Sequence, residues 1–393
     1  MIVTPWRIDR CWRLALRVAL VHYWLVNMRG GERVLESLCR MFPDADIYTH
    51  VVDRSKISRT LASHNITETF IGRLPFAKRW YQKYLPLMPW ALEALDLSEY
   101  DIIISSESGP AKGIIPPPDG VHISYVHSPM RYIWDKYHVY RSAAGRLARL
   151  MMLPIAHYMR IWDTASATRV DLVLANSTFV SKRIDKYWKR NATVVFPPVA
   201  VSMFHPVAQE DIEDYYLWVG EMVIYKRPDL AIEAFRRNGR KLIVIGDGPE
   251  RKVLERTAPP NITFMGKIGF TELKRYMATC RALIFPGDED FGIIPVEVQA
   301  SGRPVIAYGR GGVLDTVIDG RTGVLYTERG AEGLVAAVER FEASDLVHSV
   351  RDACVANASR FSETVFQDGI RAALVRCGVV WTPSTSLPEK NPA

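Results

Sequence analysis

The chain has 393 residues, 48% of them hydrophobic and 24% charged, so it is globular in composition, too long for one ordinary core, and suited to two domains. Its 50 basic and 43 acidic residues give a net charge of +7 and a pI near 9.1, which permits an anionic partner such as a diphosphate, a nucleic acid or an acidic membrane surface. No segment reaches the roughly 18–20 uninterrupted apolar residues that span a bilayer, so we expect a soluble or peripheral protein.

The amino-terminal residues resemble a signal peptide only in part. Basic residues precede an apolar stretch within residues 1–26, but Arg17 and His22 interrupt that stretch and no small-residue cleavage site follows it. We therefore predict an extension over residues 1–16 and a first buried strand over 17–24. The five cysteines are scattered, odd in number and without metal-ligand spacing, which favours a reduced compartment. They are Cys11, Cys39, Cys280, Cys354 and Cys377.

Apolar runs alternate with helical stretches through the first half of the chain, which predicts an α/β domain with a mostly parallel sheet. After the first strand, Gly30 and Gly31 precede an amphipathic helix pattern over residues 34–41. Such a pair lets the backbone approach a phosphate or a sugar closely, although a plain tight turn explains it equally well. The spacing is not G-x-G-x-x-G, so NAD binding is not supported. Further strands are predicted at 46–51, 66–70, 101–105, 121–127 and 171–175.

His127 ends one of these predicted strands, at the edge of the sheet where α/β proteins bind their ligands. Ser128 and Pro129 stop the strand directly after it. A single histidine at this place can be a ligand-binding residue or a structural one, and the residues alone leave both interpretations open.

Residues 196–206, rich in proline, are predicted to link the first domain, 17–200, to a second domain, 207–362. The second domain opens with a strand signal at 215–220. Lys226 then lies near the start of an amphipathic helix, where a cation can meet a diphosphate, although a lysine in a loop is usually only solvated. Gly246 and Gly248 form a glycine-rich turn after the strand that begins at residue 241. A helix over 363–377 and a disordered tail over 378–393 are predicted to end the chain.

The stretch GDEDFGIIPVEVQASG, residues 287–302, lies between two buried-strand signals and carries an acidic loop into a helix. The free N–H groups and the dipole at such a helix start attract an anion. Glu289 and Glu297, eight residues apart, flank that position, where they suit the hydroxyl groups of a nucleotide sugar. Each glutamate on its own could simply be solvated.

In this form, with Phe291-Gly292 and the run at 302–307, the stretch resembles the nucleotide-sugar motif of retaining family 4 glycosyltransferases. The segment HSPMRYIWD, residues 127–135, is similar to the strand-end histidine segment of bacterial exopolysaccharide mannosyltransferases of the acetan and xanthan type. The resemblance covers roughly residues 17–377. It implies a GT-B fold, in which two Rossmann-like domains face each other across a cleft.

The resemblance also implies roles for single residues. His127 would touch the donor sugar near the reacting carbon, and Lys226 with Arg227 would neutralise the diphosphate. Glu289 would hold the sugar ring and Glu297 the ribose, which gives the catalytic set His127, Lys226, Glu289 and Glu297. The implied donor-binding set is Gly30, Gly31, Lys226, Arg227, Gly246, Gly248, Phe291, Gly292, Ile293 and Glu297. One position departs from the family pattern, because Glu221 stands five residues before Lys226, where the family normally carries Arg.

The reaction implied by the resemblance is transfer of α-mannose from GDP-mannose to a cellobiosyl-diphosphopolyprenol lipid, with no metal and no other cofactor. The enzyme would be peripheral, at the cytoplasmic face of the bacterial inner membrane. Residues 73–90 and 141–160 mix basic with apolar side chains, which suits an anionic membrane surface unless the apolar ones belong to the core. Nucleic acid is not expected, since no nucleic-acid motif accompanies them. The alternatives are a UDP-hexose donor, a nucleotide-sugar epimerase and a degenerate scaffold.

Overall fold

The computed structural model describes residues 16–344, 346–379 and 381, with the backbone alone at residue 348. The chain divides into two compact units. The first holds the chain up to residue 176, residues 180–196 and the chain from residue 366 onward, and the second holds residues 177–179 and 197–365. The predicted extension, apart from residue 16, and most of the predicted tail lie outside the described residues. Among the described helices, none combines the length and the apolar character needed to cross a bilayer.

The first unit contains a sheet of seven parallel strands in the order β3-β2-β1-β4-β5-β6-β7. The strand order reverses between β1 and β4, where ligands of such sheets bind outside the carboxyl ends of the strands. The predicted strands are present within a few residues of their predicted bounds; β7 was not predicted because two residues carry too little pattern. The strands are β1 (Val18–His22), β2 (Asp46–Thr49), β3 (Ile66–Glu68), β4 (Ile102–Glu107), β5 (Val121–Val126), β6 (Leu172–Ala175) and β7 (Thr193–Val194).

The second unit contains six parallel strands in the order β10-β9-β8-β11-β12-β13, which has its own reversal between β8 and β11. The strands are β8 (Tyr216–Val219), β9 (Leu242–Ile245), β10 (Ile262–Gly266), β11 (Leu283–Phe285), β12 (Val305–Tyr308) and β13 (Gly323–Tyr326). Two all-parallel sheets of Rossmann order confirm the predicted α/β class.

Sixteen α-helices connect and cover these strands in the part of the chain that the structure describes. They are α1 (Gly30–Met41), α2 (Arg59–Ala62), α3 (Ala77–Trp80), α4 (Met88–Glu93), α5 (Tyr137–Ala143), α6 (Arg146–Ala167), α7 (Thr178–Trp188), α8 (Pro228–Asn238), α9 (Arg251–Thr257), α10 (Phe270–Thr279), α11 (Ile293–Ala300), α12 (Val313–Thr316), α13 (Ala331–Glu342), α14 (Leu346–Ser349), α15 (Arg351–Ser359) and α16 (Glu363–Arg376). Short 3₁₀ turns lie at Phe70–Arg73, Tyr81–Leu87, Val201–Met203, Gln209–Asp211 and Ile224–Lys226.

The core of the first unit explains why its strands read as continuous apolar runs. All residues of β1, β4 and β5 are buried, because helices cover both faces of the sheet. Helix α16 belongs to this core: Phe366, Ile370 and Leu374 pack in the same cluster as Leu20 and Ile123. This helix, the last in the described part of the chain, therefore helps to complete the first unit.

Candidate active site

In the second unit, the loop after β11 runs into α11 through a glycine that has the required backbone shape. Gly292 has a φ of +90° and is the residue before the first turn of α11. A residue with a Cβ would be strained there, so glycine lets the chain turn sharply into the helix. The amides of Ile293 and the next residue are thus offered at a helix start, as the anion-binding prediction requires.

The structure brings Lys226 and Glu289 together in this unit. Lys226 Nζ lies 3.3 Å from Glu289 Oε1, and the two side chains are 18% and 21% exposed. The backbones of their loops are also joined, since the amide of Asp288 donates to the carbonyl of Tyr225 at 3.4 Å. A cation and a carboxylate are therefore held as a half-buried pair beside the start of α11.

Three other residues considered for the donor site, Arg227, Glu221 and Phe291, differ in burial and in the groups that they contact. Arg227 is the left-handed residue before α8, and its guanidinium donates to both carboxylate oxygens of Asp229, which raises its pKa. Glu221, at the family position of an arginine, is exposed in the loop after β8. Phe291 is buried, with its ring 5.6 Å from that of Phe361.

Gly246 and Gly248 form the turn after β9, as the sequence indicates. This turn packs on the loop after β8, because the amide of Met222 donates to the carbonyl of Asp247 at 2.8 Å. The amide of Gly246 in turn donates to the carbonyl of Gly266 at 2.8 Å. The loops after β8 and β9 and the last residue of β10 are therefore bonded to one another.

Glu297 lies in the second turn of α11 and is half-buried. The helix is fixed by the buried amide of Gln299, whose Nε2 donates to the carbonyl of Thr316 at 2.7 Å. Asn357 of α15 donates to Gln299 Oε1 at 2.7 Å and to the same Thr316 carbonyl at 2.8 Å. These bonds hold α11, and with it Glu297, at a defined position in the second unit.

In the first unit, His127 directly follows β5. Its amide donates to the carbonyl of Glu107 at 2.8 Å, and its Nε2 lies 2.8 Å from Ser106 Oγ. Burial, together with the nearby His22, lowers the pKa of His127 to about 3. The ring is therefore neutral at physiological pH and can exchange neutral hydrogen bonds with a sugar.

The prediction that Gly30 and Gly31 form a loop before the helix is wrong, because they are the first two residues of α1. Apolar residues recur at helical spacing only from Val34 onward, which is why the sequence pattern placed the helix start too late. Helix formation extends back to Arg29, whose amide donates to the carboxylate of Glu32 at 2.9 Å. The two glycine amides therefore stand at a helix start, where donors are free for a ligand.

Glycine at position 31 permits a close approach of three groups. A Cβ there would lie 2.3 Å from Tyr23 Oη and 3.5 Å from His127 Nε2. The Tyr23 hydroxyl and the His127 ring thus meet the first turn of α1, so β1, β5 and α1 contribute to one place at the edge of the sheet. Glu32 and His22 lie beneath it, with Glu32 Oε1 3.9 Å from His22 Nε2. Burial raises the pKa of Glu32, but the nearby His22 and the hydrogen bonds from backbone amides outweigh burial, and the net pKa is lowered.

Sequence reasoning missed the residues that hold the His127 segment in place. Arg183 of α7 donates to Ser128 Oγ at 2.8 Å, to the Pro129 carbonyl at 3.1 Å and to Asp135 Oδ1 at 2.6 Å. Its role is not visible in the sequence, since 55 residues separate Arg183 from Ser128. Ser106 is different, because it lies near the end of a buried strand, at the same sheet edge as His127, and the sequence pattern indicates that position.

A buried ionic cluster supports the same strand ends. The ammonium of Lys112 bonds to Asp163 and lies 3.4 Å from Glu107 Oε1, and all three side chains are almost fully buried. The indoles of Trp134 and Trp188 each donate to Asp163 Oδ2 at 2.7 Å. Burial lowers the pKa of Lys112, but the two carboxylates outweigh burial and the net pKa is raised. The cluster fixes α6 to the segment after β4.

The two parallel sheets agree with solved structures of GT-B glycosyltransferases. The Anabaena protein HepE in complex with UDP and glucose gives a TM-score of 0.65 at 16% identity, over 92% of this chain and 100% of that one. Sucrose-phosphate synthase from Thermosynechococcus elongatus gives 0.67 at 18% identity, over 93% of this chain and 100% of that one. At such low identity, these likenesses show the fold, and the predicted GT-B fold is confirmed.

Two family models match the chain. Residues 28–202 match the model described as Glycosyltransferase Family 4, and residues 204–361 match the model described as Glycosyl transferases group 1. Together the two models cover most of the chain, and both describe glycosyltransferases, the first half matching Family 4 and the second half matching group 1. The prediction that it is a glycosyltransferase enzyme is confirmed.

Curated relatives carry related names. An uncharacterised glycosyltransferase of Methanocaldococcus jannaschii is 30% identical over 165 residues, 41% of this chain and 46% of that protein. The alpha-1,3/1,6-mannosyltransferase ALG2 of Dictyostelium discoideum is 25% identical over 234 residues, 47% of this chain and 54% of that protein. A GDP-mannose-dependent alpha-mannosyltransferase of Corynebacterium glutamicum is 34% identical over 109 residues, 28% of this chain and 26% of that protein. The chain thus spans about half the length of the first two relatives.

Proposed function

We propose that the protein is a retaining glycosyltransferase that moves an α-mannosyl residue from GDP-mannose to an oligosaccharide carried on a polyprenyl diphosphate. The observation that carries the proposal is the pair of Lys226 and Glu289 beside the start of α11. A nucleotide sugar needs a positive site for its diphosphate next to acceptors for its sugar hydroxyls, and this arrangement supplies both.

In the proposed reaction, the bond between the anomeric carbon and the diphosphate oxygen breaks while an acceptor hydroxyl bonds to that carbon. Lys226 and the amides at the start of α11 stabilise the negative charge that develops on the departing diphosphate. Glu289 accepts hydrogen bonds from the sugar, and Glu297 accepts them from the ribose. The neutral ring of His127 hydrogen-bonds the donor sugar. The departing diphosphate takes the acceptor proton, so no protein nucleophile is used.

The choice of mannose is supported by the names of two relatives, which are mannosyltransferases. The donor of the relative from Corynebacterium glutamicum is named as GDP-mannose, and that relative is 34% identical over the matched segment. The proposed acceptor is anionic and anchored in lipid, which fits a chain with a net charge of +7. The enzyme then works as a peripheral protein at the cytoplasmic face of the bacterial inner membrane.

The proposed reaction uses no metal, since Lys226 and the helix start supply the positive potential at the diphosphate. This stays a prediction. Transfer that is unchanged by a chelator would support it, and transfer restored only by a divalent cation would contradict it.

The proposal is tested by supplying radiolabelled GDP-mannose, UDP-glucose and UDP-galactose in parallel to the purified protein. The acceptor is a membrane extract shown to contain cellobiosyl-diphosphopolyprenol. We expect label in the lipid from GDP-mannose alone, and no label with Lys226→Met. Label from a UDP-sugar would overturn the mannosyl assignment. Conversion of a donor without any acceptor would indicate an epimerase, and no turnover of any donor would favour a scaffold.

A further inference from the structure

The helical hairpin formed by α5 and the first half of α6 is not covered by the rest of the first unit. None of the first ten residues of α6, 146–155, is buried, whereas the second half packs into the core through Ala156, Met159 and Trp162. Leu147 is 75% exposed and Leu150 is 64% exposed. These apolar side chains are therefore not core, which was the open alternative for this segment.

The hairpin is nevertheless an ordered structure. At its tip, the guanidinium of Arg149 donates to the carbonyl of Ser142 at 3.0 Å and to that of Ala144 at 3.3 Å. At its base, the guanidinium of Arg160 lies 4.6 Å from the ring centroid of Tyr137, which is buried. The two helices thus present a fixed surface and not a collapsed loop. Its exposed apolar residues are Val139, Tyr140, Leu147, Leu150, Met151 and Leu153.

The charge of the hairpin has one sign. Residues 136–155 contain four basic residues and no Asp or Glu. Those basic residues are Lys136, Arg141, Arg146 and Arg149. An apolar surface surrounded by arginines fits a partner that is apolar inside and anionic at its surface, which describes an anionic bilayer.

We propose that the α5–α6 hairpin is the surface by which the enzyme docks on anionic lipid, with Leu147 and Leu150 in the acyl–headgroup boundary and Arg146 at the phosphates. A second copy of the chain is a poorer occupant, because two such surfaces would place arginines against arginines without an acidic partner. This proposal rests on the proposed function in one respect, because the lipid-linked acceptor explains why the enzyme would bind a membrane. The docking surface itself requires neither mannose nor a polyprenyl acceptor.

The test measures co-sedimentation of the full chain with phosphatidylcholine vesicles, with and without phosphatidylglycerol. We expect binding that requires phosphatidylglycerol and weakens as salt is added. The double variant Leu147→Ser with Leu150→Ser should bind at least about tenfold more weakly, because burying one leucine contributes a factor of about ten or more. Arg146→Gln should weaken binding about fivefold.

The matched control replaces Val253 and Val375 by serine, since these valines are 55% and 68% exposed on other helices. The control should bind as the wild type does, and all variants should unfold at the same temperature. Absence of wild-type binding, or equal binding by the leucine variant, would overturn the proposal. The proposal would also be overturned if the wild type were a dimer in the absence of lipid and the leucine variant were a monomer. In that case a second copy of the chain would cover the surface.

The readout is independent of the proposed reaction. Binding of vesicles that contain no acceptor tests the hairpin even if mannosyl transfer fails. Conversely, transfer to a water-soluble, short-chain acceptor should be unchanged in the leucine variant if the hairpin serves docking alone. Loss of that soluble reaction would overturn the assignment of the hairpin as a docking surface.

Discussion

Ser106 Oγ and His127 Nε2 lie 2.8 Å apart, and this bond fixes the histidine ring at the edge of the first sheet. Ser106 is the last residue but one of β4, and His127 directly follows the neighbouring strand β5. The amide of His127 also donates to the carbonyl of Glu107, the last residue of β4. A side chain that must meet a sugar gains from such fixation, because its orientation is set before the substrate binds.

Ser106→Ala should lower turnover about threefold to tenfold with little change in KM, since one hydrogen bond contributes about 1 kcal/mol. The same strand offers a matched control in Ser105, whose Oγ lies 2.9 Å from Nε2 of buried His122. Ser105→Ala should cost similar stability and leave turnover unchanged. Equal kinetic effects of the two substitutions would show that Ser106 has only a structural role.

Gly31→Ala should lower turnover severely, because its Cβ would lie 2.3 Å from Tyr23 Oη and push the hydroxyl or the helix away. Removing that hydroxyl should relieve part of the clash. We therefore expect Tyr23→Phe to recover activity in the Gly31→Ala background, measured as kcat/KM at equal protein stability. If the double variant is no better than Gly31→Ala, then the close contact does not explain the glycine.

Glu289→Gln should separate product binding from catalysis. Glu289 competes with a diphosphate for Lys226, 3.3 Å away, so its neutral analogue should bind GDP about fivefold more tightly. Turnover should fall, since the carboxylate no longer accepts strong bonds from the sugar. Calorimetry with GDP and steady-state kinetics measure the two effects, and exposed Glu272→Gln is the control. Weaker binding of GDP by Glu289→Gln would contradict the competition.

Stability should fall below neutral pH because of three buried histidines, His50, His122 and His127, whose pKa values are all lowered. Burial lowers the pKa of His50 to about 4 and that of His122 to about 3, from an ordinary value near 6.5. The unfolded chain therefore binds more protons than the folded chain as the pH falls below about 6.5, so unfolding becomes easier. At pH 5.5 each histidine should cost about 1.4 kcal/mol relative to pH 7.5.

Urea unfolding at both pH values checks this, with His50→Asn expected to lose its share of the pH dependence. The exposed His138 provides the control, and His138→Asn should leave the dependence unchanged. The free energy of unfolding should decrease more from pH 7.5 to pH 5.5 in the wild type than in His50→Asn. An equal decrease in the two proteins would contradict the argument.

The sequence predicted the strands well because parallel strands buried on both faces are continuous apolar runs, as in β1 and β5. The sequence pattern placed the start of α1 at Val34, four residues late, because Gly30 and Gly31 do not contribute to the helical spacing of apolar residues. The loop and helix at residues 287–302 were recognisable because the turn at Gly292 and the two glutamates are local features. Local pattern was therefore sufficient wherever neighbouring residues act together.

Long-range partners could not be predicted in the same way. Arg183 reaches the His127 segment from another helix, and the pair of Lys226 and Glu289 joins loops 63 residues apart in sequence. The apolar residues of α6 fitted a core helix or a surface helix equally well in sequence, and only the packing shows that Leu147 and Leu150 are exposed. Such relations depend on topology, which brings distant residues to one sheet edge or leaves a helix uncovered.

The central claim is that Lys226 supplies the positive charge for the donor diphosphate at the start of α11. The most direct measurement is calorimetric titration of GDP-mannose into the wild type and into Lys226→Met, with Lys252→Met as a control on an exposed helix position. We predict about hundredfold weaker binding for Lys226→Met, since a charge-assisted bond to phosphate in a half-buried site contributes about 3 kcal/mol. Equal affinity of Lys226→Met and the wild type would contradict the account.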